Sequence, residues 1–128
     1  MDASAHAETS RALEAIYAAG HWLLCRERPR DAASVFRGIT VLDPHDERAW
    51  LALGACHEAL EHKELALEMY GVGQLLCPRA VRTRLARARL LDDFGRSDEA
   101  DAARASAEDL ATDDDAMMAL VASERGAS

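Results

Sequence analysis

The residues best suited to chemistry lie close together near the middle of the chain. Cys56, His57, Glu58 and His62 supply a thiol, two imidazoles and a carboxylate. A zinc-binding H-E-x-x-H helix places its two histidines one turn apart, on one face of the helix. Here the histidines are five residues apart, and a turn is expected near Glu61. The spacing therefore favours two partly exposed polar histidines over a metal site.

Other motifs for catalysis or cofactor binding are weaker still. Gly71-Val72-Gly73 is a lone G-x-G within a helical pattern and has no strand before it. A dinucleotide loop is therefore disfavoured, and close packing of helices is the simpler interpretation. The sequence contains no nucleophile elbow and no P-loop, and its many carboxylates are expected on solvated surfaces. We expect no enzymatic activity, no metal and no cofactor.

Composition narrows the class of protein further. The chain has 128 residues, is 49% hydrophobic and carries a formal net charge of −8, which disfavours nucleic-acid binding. No apolar run approaches the roughly 18 residues of a membrane span, and residues 1–6 do not resemble a secretory signal. Cys25, Cys56 and Cys77 are odd in number and form no C-x-x-C pair, which favours reduced thiols. A cytoplasmic protein without membrane insertion is expected.

A repeat of 34 residues organises the chain. One copy follows the pattern W-x2-L-G…A-x3-Y…P, and the copy before it keeps the small, aromatic and proline positions. This period and pattern are those of the tetratricopeptide repeat (TPR), so the sequence predicts an all-α solenoid of helix-turn-helix units. The concave face of such solenoids binds peptides. The matching residues are Trp50, Leu53, Gly54, Ala66, Tyr70 and Pro78, preceded by Ile16, Ala19, Gly20, Ala32, Phe36 and Pro44.

The repeat also predicts the domain organisation and the core. We expect a flexible N-terminus over residues 1–10, with the first helix starting near Ser10, followed by one TPR domain over 11–124. Seven helices in antiparallel pairs are expected, and Asp113, Asp114 and Asp115 suit the start of the last one. The three repeats are predicted at about 13–46, 47–80 and 81–112, with a capping helix at about 115–124. The predicted core residues are Ile16, Phe36, Trp50, Leu53 and Tyr70.

The third repeat departs from the pattern. The period predicts large apolar residues at positions 84 and 87, where the chain has Arg84 and Arg87. We expect their aliphatic stems to lie on the core and their charged ends to reach water. The run from Arg79 to Arg89 has five arginines and no acid, and ten acids follow between Asp92 and Asp115. Pairing of these two segments within the fold is the first interpretation, and a basic patch for an acidic partner is the second.

The period also predicts which residues line the concave groove, at positions 2, 5, 9 and 12 of each repeat. An apolar track flanked by arginines would suit an extended peptide with apolar anchors. The alternative is that these residues pack against a flanking helix. The predicted groove residues are Tyr17, His21, Leu24, Arg48, Leu51, Ala55, Glu58, Arg82, Leu85 and Arg89.

A narrower pattern lies within the repeats. It comprises F-x-x-I-x-V-L-D at 36–43, then Pro44, the segment L-A-L-G-A-C at 51–56, and Tyr70 followed by G-V-G. Together these segments resemble the class II chaperones of type III secretion systems, the SycD/LcrH-type translocator chaperones, and the resemblance covers about residues 12–105.

This resemblance implies three TPRs, a cytoplasmic location and no enzymatic activity. Members of the family keep hydrophobic translocators soluble before export by holding an N-terminal segment, often of the type P-x-L-x-x-P, in the groove. Tyr17 matches a groove aromatic of the family, whereas His21 and Leu24 stand where aromatics are usual. The family's N-terminal dimerisation helix has only residues 1–10 in its place here, so a homodimer and a monomer both stay open. A generic TPR adaptor that scaffolds a cytosolic complex is the alternative function.

Overall fold

The computed structural model describes residues 3–112 and 114–126, and these residues form seven α-helices and no strand. The predicted all-α fold is confirmed. Short turns join consecutive helices into antiparallel pairs, and each pair packs on the next along the chain. The helices are α1 (Ala3–Cys25), α2 (Pro29–Leu42), α3 (Glu47–Ala59), α4 (Lys63–Leu76), α5 (Val81–Asp93), α6 (Ser97–Ala111) and α7 (Asp115–Gly126).

Glycines set the close approach of the two helices within the first two repeats. A Cβ added to Gly54 would lie 2.1 Å from the ring of Tyr70, and one added to Gly20 would lie 2.7 Å from the ring of Phe36. Only a residue without a side chain lets each ring lie flat on the opposite helix. Tyr70, Phe36 and Leu53 are at most 2% exposed, which confirms them as core residues.

Two other predicted core residues differ. Trp50 is partly buried, and its indole nitrogen donates a hydrogen bond to the Pro44 carbonyl oxygen at 2.8 Å. A Cβ on Gly73 would lie 2.6 Å from the Cβ of Trp50, so the expected close packing holds at Gly73. It does not hold at Gly71, where nothing lies within 4 Å of an added Cβ.

Ile16 is 38% exposed, so its prediction as core was wrong. It lies on α1, and among the described residues no helix precedes α1 to cover that face.

The first helix begins earlier than expected. Residues 3–10 are helical and continuous with the rest of α1, so a start near Ser10 was wrong. Alanine and glutamate in this segment favour the helix, and the Thr9 hydroxyl donates to the Ala5 carbonyl oxygen at 3.0 Å. The part of the predicted flexible segment that falls on Met1 and Asp2 lies outside the described residues, as does the predicted role of Asp113.

One of the two arginines in the third repeat departs from the prediction, since Arg87 is half-buried as expected, whereas Arg84 is buried. Arg84 is 9% exposed, and its guanidinium donates to the Ser106 hydroxyl at 3.0 Å and to the Ala80 carbonyl oxygen at 2.9 Å. Its charged end is therefore inside the fold and not in water, because α6 supplies an acceptor above it. Burial lowers the pKa of Arg84, and the charge of Glu47 partly offsets this.

The basic and acidic segments do not pair as expected either. Among the residues that the structure describes, no ion pair joins an arginine of the 79–89 run to an acid of 92–115. Arg89 pairs with Glu58 of α3, and Asp92 pairs with Arg104 of α6. Among the arginines of α5, Arg89 faces α3, and Arg84 bonds to the Ser106 hydroxyl of α6. Small alanines and Leu91 also contribute to the contact between α5 and α6.

Candidate peptide-binding groove

The first helices of the three pairs, α1, α3 and α5, carry the ten predicted groove residues. The structure divides these residues by exposure. Eight of them are exposed or half-buried, and Tyr17 and Leu85 are buried, being 3% and 4% exposed. The exposed residues are His21, Arg48, Arg82 and Arg89, and the half-buried ones are Leu24, Leu51, Ala55 and Glu58.

Tyr17 belongs to the core of the first repeat and is not the exposed anchor that the sequence predicts. Its ring packs at 6.3 Å from the ring of Phe36, measured between centroids. On the groove side, the guanidinium carbon of Arg48 lies 4.1 Å from the ring centroid of Tyr17 and covers it. Burial and the nearby charge of Asp46 raise the pKa of Tyr17, so its hydroxyl stays neutral. Arg48, which belongs to the next repeat, therefore covers Tyr17, although the repeat period alone predicts that Tyr17 is exposed in the groove.

Arg48 is held over Tyr17 by two carboxylates. It donates to both oxygens of Glu14, at 3.0 and 2.7 Å, and to the side chain of Asp46 at 2.7 Å. Glu14 and Arg48 are one repeat apart, so this ion pair ties the second repeat to the first. Asp46 also caps α3 by accepting from the Arg48 backbone at 3.0 Å. Hydrogen bonds to Glu14 and Asp46 raise the pKa of Arg48.

A second network lies further along the groove, around Glu58. Arg89 donates to both carboxylate oxygens of Glu58, at 2.9 and 2.7 Å, and the Tyr70 hydroxyl donates to one of them. Burial would raise the pKa of Glu58, but the hydrogen bonds from Arg89 and Tyr70 prevail and lower it. Glu58 is therefore an anion at neutral pH, and its charge is largely used inside the fold.

The groove has one further wall that the sequence interpretation missed. Leu120 and Glu124 of α7 line a cavity of about 190 Å³ together with residues of α3 and α5. The sequence interpretation assigned α7 to capping only. A repeat search that allows a one-residue insertion would have found these two positions. The other lining residues are Leu51, Arg82, Leu85, Ala86 and Arg89.

The histidine cluster is not part of the groove. His57 is 5% exposed, so the prediction of partial exposure was wrong, and its ring centroid lies 6.1 Å from that of His62. Over residues 3–112 and 114–126, no three histidine, cysteine, aspartate or glutamate side chains come together in a way that could hold a metal ion. In the same ranges, no helix combines the length and apolar character needed to cross a membrane.

No protein-family model matches the chain. Among curated proteins, it is 30% identical over 105 residues to the low calcium response locus protein H of Yersinia pestis. That match takes in 82% of this chain and 62% of the Yersinia protein, so the chain spans less than two thirds of the length of this relative.

Solved structures give longer matches. PcrH of Pseudomonas aeruginosa, crystallised with the chaperone binding region of PopD, is 32% identical, with a TM-score of 0.80 over 91% of this chain and 88% of PcrH. SycD of Yersinia enterocolitica, crystallised with a peptide of the translocator YopD, is 28% identical, with a TM-score of 0.79 over 91% of this chain and 92% of that one. With this identity to PcrH over nearly the whole of both chains, the protein belongs to the family of type III secretion translocator chaperones.

Proposed function

We propose that this protein is a chaperone of a type III secretion system. It binds an extended segment of a hydrophobic translocator in its concave groove and keeps that client soluble in the cytoplasm until export. The observation that carries the proposal is the fold shared with PcrH and SycD, each of which was crystallised with a segment of such a client. The protein acts by binding, without catalysing a reaction.

The surface of the groove supports this function. Leu24, Leu51 and Ala55 are half-buried, so each offers apolar area to a partner without being part of a closed core. Such positions suit the apolar anchors of an extended peptide. Arg48 and Arg89 border the track and are held by carboxylates of the fold. Their charge is used within the fold, and only the donors that these carboxylates leave unused can bond to a peptide, at low entropic cost because the guanidinium groups are already held in place.

The direct test is capture of the client from cells that express the cognate secretion genes. The tagged wild-type protein should co-purify a translocator with long apolar segments, and that client should aggregate or be degraded when the chaperone is absent. Recovery of several soluble partners whose solubility does not depend on the protein would instead support the adaptor function.

A matched pair of variants assigns the binding to the groove. Leu51→Asp puts a charge on the apolar track, whereas Val41→Asp puts the same charge on α2, at a side chain that is 78% exposed. We expect Leu51→Asp to lose the client and Val41→Asp to retain it, with helical circular dichroism kept in both. Tyr17→Ala is unsuitable for this test, because Tyr17 is buried in the core. A wild-type yield of client with Leu51→Asp would rule out the groove.

The proposal includes a homodimer, as in SycD, which was solved as a dimer. The first part of α1 supports it, since this segment is helical and mostly exposed. Sedimentation velocity of the purified protein, alone and with its client, measures the oligomeric state. A single species with the mass of one chain at all concentrations would contradict the dimer.

A further inference from the structure

The ladder of groove residues continues into α7. Leu85 follows Leu51 by 34 residues, and Leu120 follows Leu85 by 35. Glu124 follows Arg89 by the same 35 residues. One added residue therefore separates α7 from the strict period. The helix takes the place that the first helix of a fourth repeat would occupy.

The two sides of α7 have different surroundings. Val121 is 2% exposed and packs with Val81 and Ala111 at the end of the solenoid, which is the capping role that the sequence predicts. Leu120 is half-buried and, with Glu124, faces the cavity of about 190 Å³ in the groove. The helix therefore covers the core with one side and extends the concave face with the other.

This cavity, called here the α7 pocket, has an apolar interior and a charged rim. Its interior is formed by one leucine from each of three helices and by one alanine, so it offers apolar surface to a single side chain. Its rim carries two arginines and one glutamate. The apolar residues are Leu51, Leu85, Ala86 and Leu120, and the rim residues are Arg82, Arg89 and Glu124.

The two rim arginines are not equivalent. Arg89 is committed to Glu58 through two hydrogen bonds. Arg82 is exposed, and within the part of the chain that the structure describes it forms no ion pair, even with Glu124 across the pocket. A guanidinium beside an apolar pocket is complementary to a carboxylate that lies next to an apolar side chain. Arg82 is therefore available to pair with an acidic group of a bound peptide.

We propose that the α7 pocket receives one apolar side chain of the client peptide and that Arg82 pairs with an acidic residue beside it. Helix α7 is thus a wall of the binding site as well as the cap of the solenoid. This inference rests on the proposed function and adds to it a requirement on the client, namely an apolar residue with an acid next to it near one end of the bound segment.

The test uses short randomised peptides displayed on phage, selected on the wild-type protein and on two charge-reversal variants. Arg82→Glu changes the rim of the pocket. Arg79→Glu makes the same change three residues earlier, where the side chain lines a different cavity. Glutamate near the N-terminus of α5 favours the helix, so Arg82→Glu should fold. Wild type and Arg79→Glu should select acidic residues next to an apolar one, and Arg82→Glu should select basic residues there.

Affinity measurements then separate the pocket from the rest of the groove. For the best peptide selected on wild type, Arg82→Glu should weaken binding about tenfold, as expected for loss of a charge-assisted hydrogen bond. Ala86→Leu fills the pocket from α5 and should also weaken binding, while Arg79→Glu should not. Ala55→Asp puts a charge on the apolar track at a half-buried residue that does not line the pocket. Unchanged affinity in both pocket variants, with loss of binding in Ala55→Asp, would overturn the α7 pocket and leave the proposed function standing.

Two further outcomes would also overturn the α7 pocket. If no peptide is enriched on wild type, or if Leu51→Asp binds as wild type does, the groove function and the α7 pocket fail together. If wild type self-associates and Ala86→Leu abolishes that association, the pocket holds a second copy of the chain, and the peptide assignment is wrong.

Discussion

Gly54 lies directly against the ring of Tyr70, so close that a Cβ on Gly54 would be 2.1 Å from Cε1 of the ring. The same relationship holds one repeat earlier between Gly20 and Phe36. In both repeats an aromatic side chain of the second helix fills the space that a missing side chain leaves on the first. The spacing of the two helices depends on this contact, and the first two predictions concern the packing around it.

Gly54→Ala should destabilise the fold by about 1–3 kcal/mol, the usual cost of forcing extra volume into a packed core. The methyl group would displace the Tyr70 ring, whose hydroxyl is bonded to Glu58. Urea denaturation followed by circular dichroism measures the change. Gly71→Ala is the matched control, because nothing lies within 4 Å of its added Cβ. That variant should gain about 0.5–1 kcal/mol, since alanine is the better helix former. Equal effects of the two substitutions would contradict the packing argument.

Phe36→Ala should cost about 3–5 kcal/mol in the free energy of unfolding, because it removes a fully buried ring. Phe94→Ala makes the same chemical change at a ring that is 37% exposed and should cost clearly less. Thermal melts of the two variants provide the comparison. An unchanged melting temperature in Phe36→Ala would show that this ring does not contribute to the stability of the first repeat.

Arg84→Leu should leave stability unchanged or raise it by about 1 kcal/mol. The guanidinium is buried and has no acidic partner in an ion pair within the described residues, and the repeat expects an apolar side chain there. Replacing a buried charge by an apolar side chain of similar volume is often neutral or stabilising. Chemical denaturation measures the difference. A loss of several kcal/mol would mean that the bonds to Ser106 and Ala80 stabilise the third repeat more than burial of the charge destabilises it.

His57 should make the fold sensitive to mild acid. Burial, the charge of Arg37 and the neighbouring His62 lower the pKa of His57 below the ordinary value of 6.5. Between the lowered pKa of folded His57 and pH 6.5, the imidazole is therefore mostly protonated in the unfolded chain and mostly neutral in the folded one. The contribution of His57 is fully present above pH 6.5 and is lost as the pH falls from there toward the folded pKa.

The measurement is the free energy of unfolding at about pH 7.5 and about pH 5.5, on either side of the ordinary histidine pKa. His57→Gln cannot titrate in this range, so its stability should fall less between the two pH values than that of wild type. His6→Gln changes an exposed histidine of α1 and should behave as wild type does. Identical pH profiles for wild type and His57→Gln would show that His57 does not couple protonation to folding.

The sequence by itself determined the architecture. The 34-residue period, the small residues at Gly20 and Gly54 and the aromatics at Phe36 and Tyr70 were sufficient to predict the all-α fold and the core residues Phe36, Leu53 and Tyr70. Such predictions succeed because helix formation and the contacts within one repeat depend on residues close together in the sequence. The family was also apparent from short segments such as L-A-L-G-A-C at 51–56.

Only the tertiary structure decided which groove positions are open. The period gives a residue its place on a helix, but its exposure depends on how the helices are rotated and on long side chains from other repeats. Tyr17 lies under Arg48, which Glu14 holds from one repeat away. Leu120 lines the same cavity as Leu85, at a spacing one residue longer than the strict period, and the structure decides that α7 turns this side chain toward the groove. Contacts between distant residues of this kind leave no local pattern, and they give the binding face its final shape.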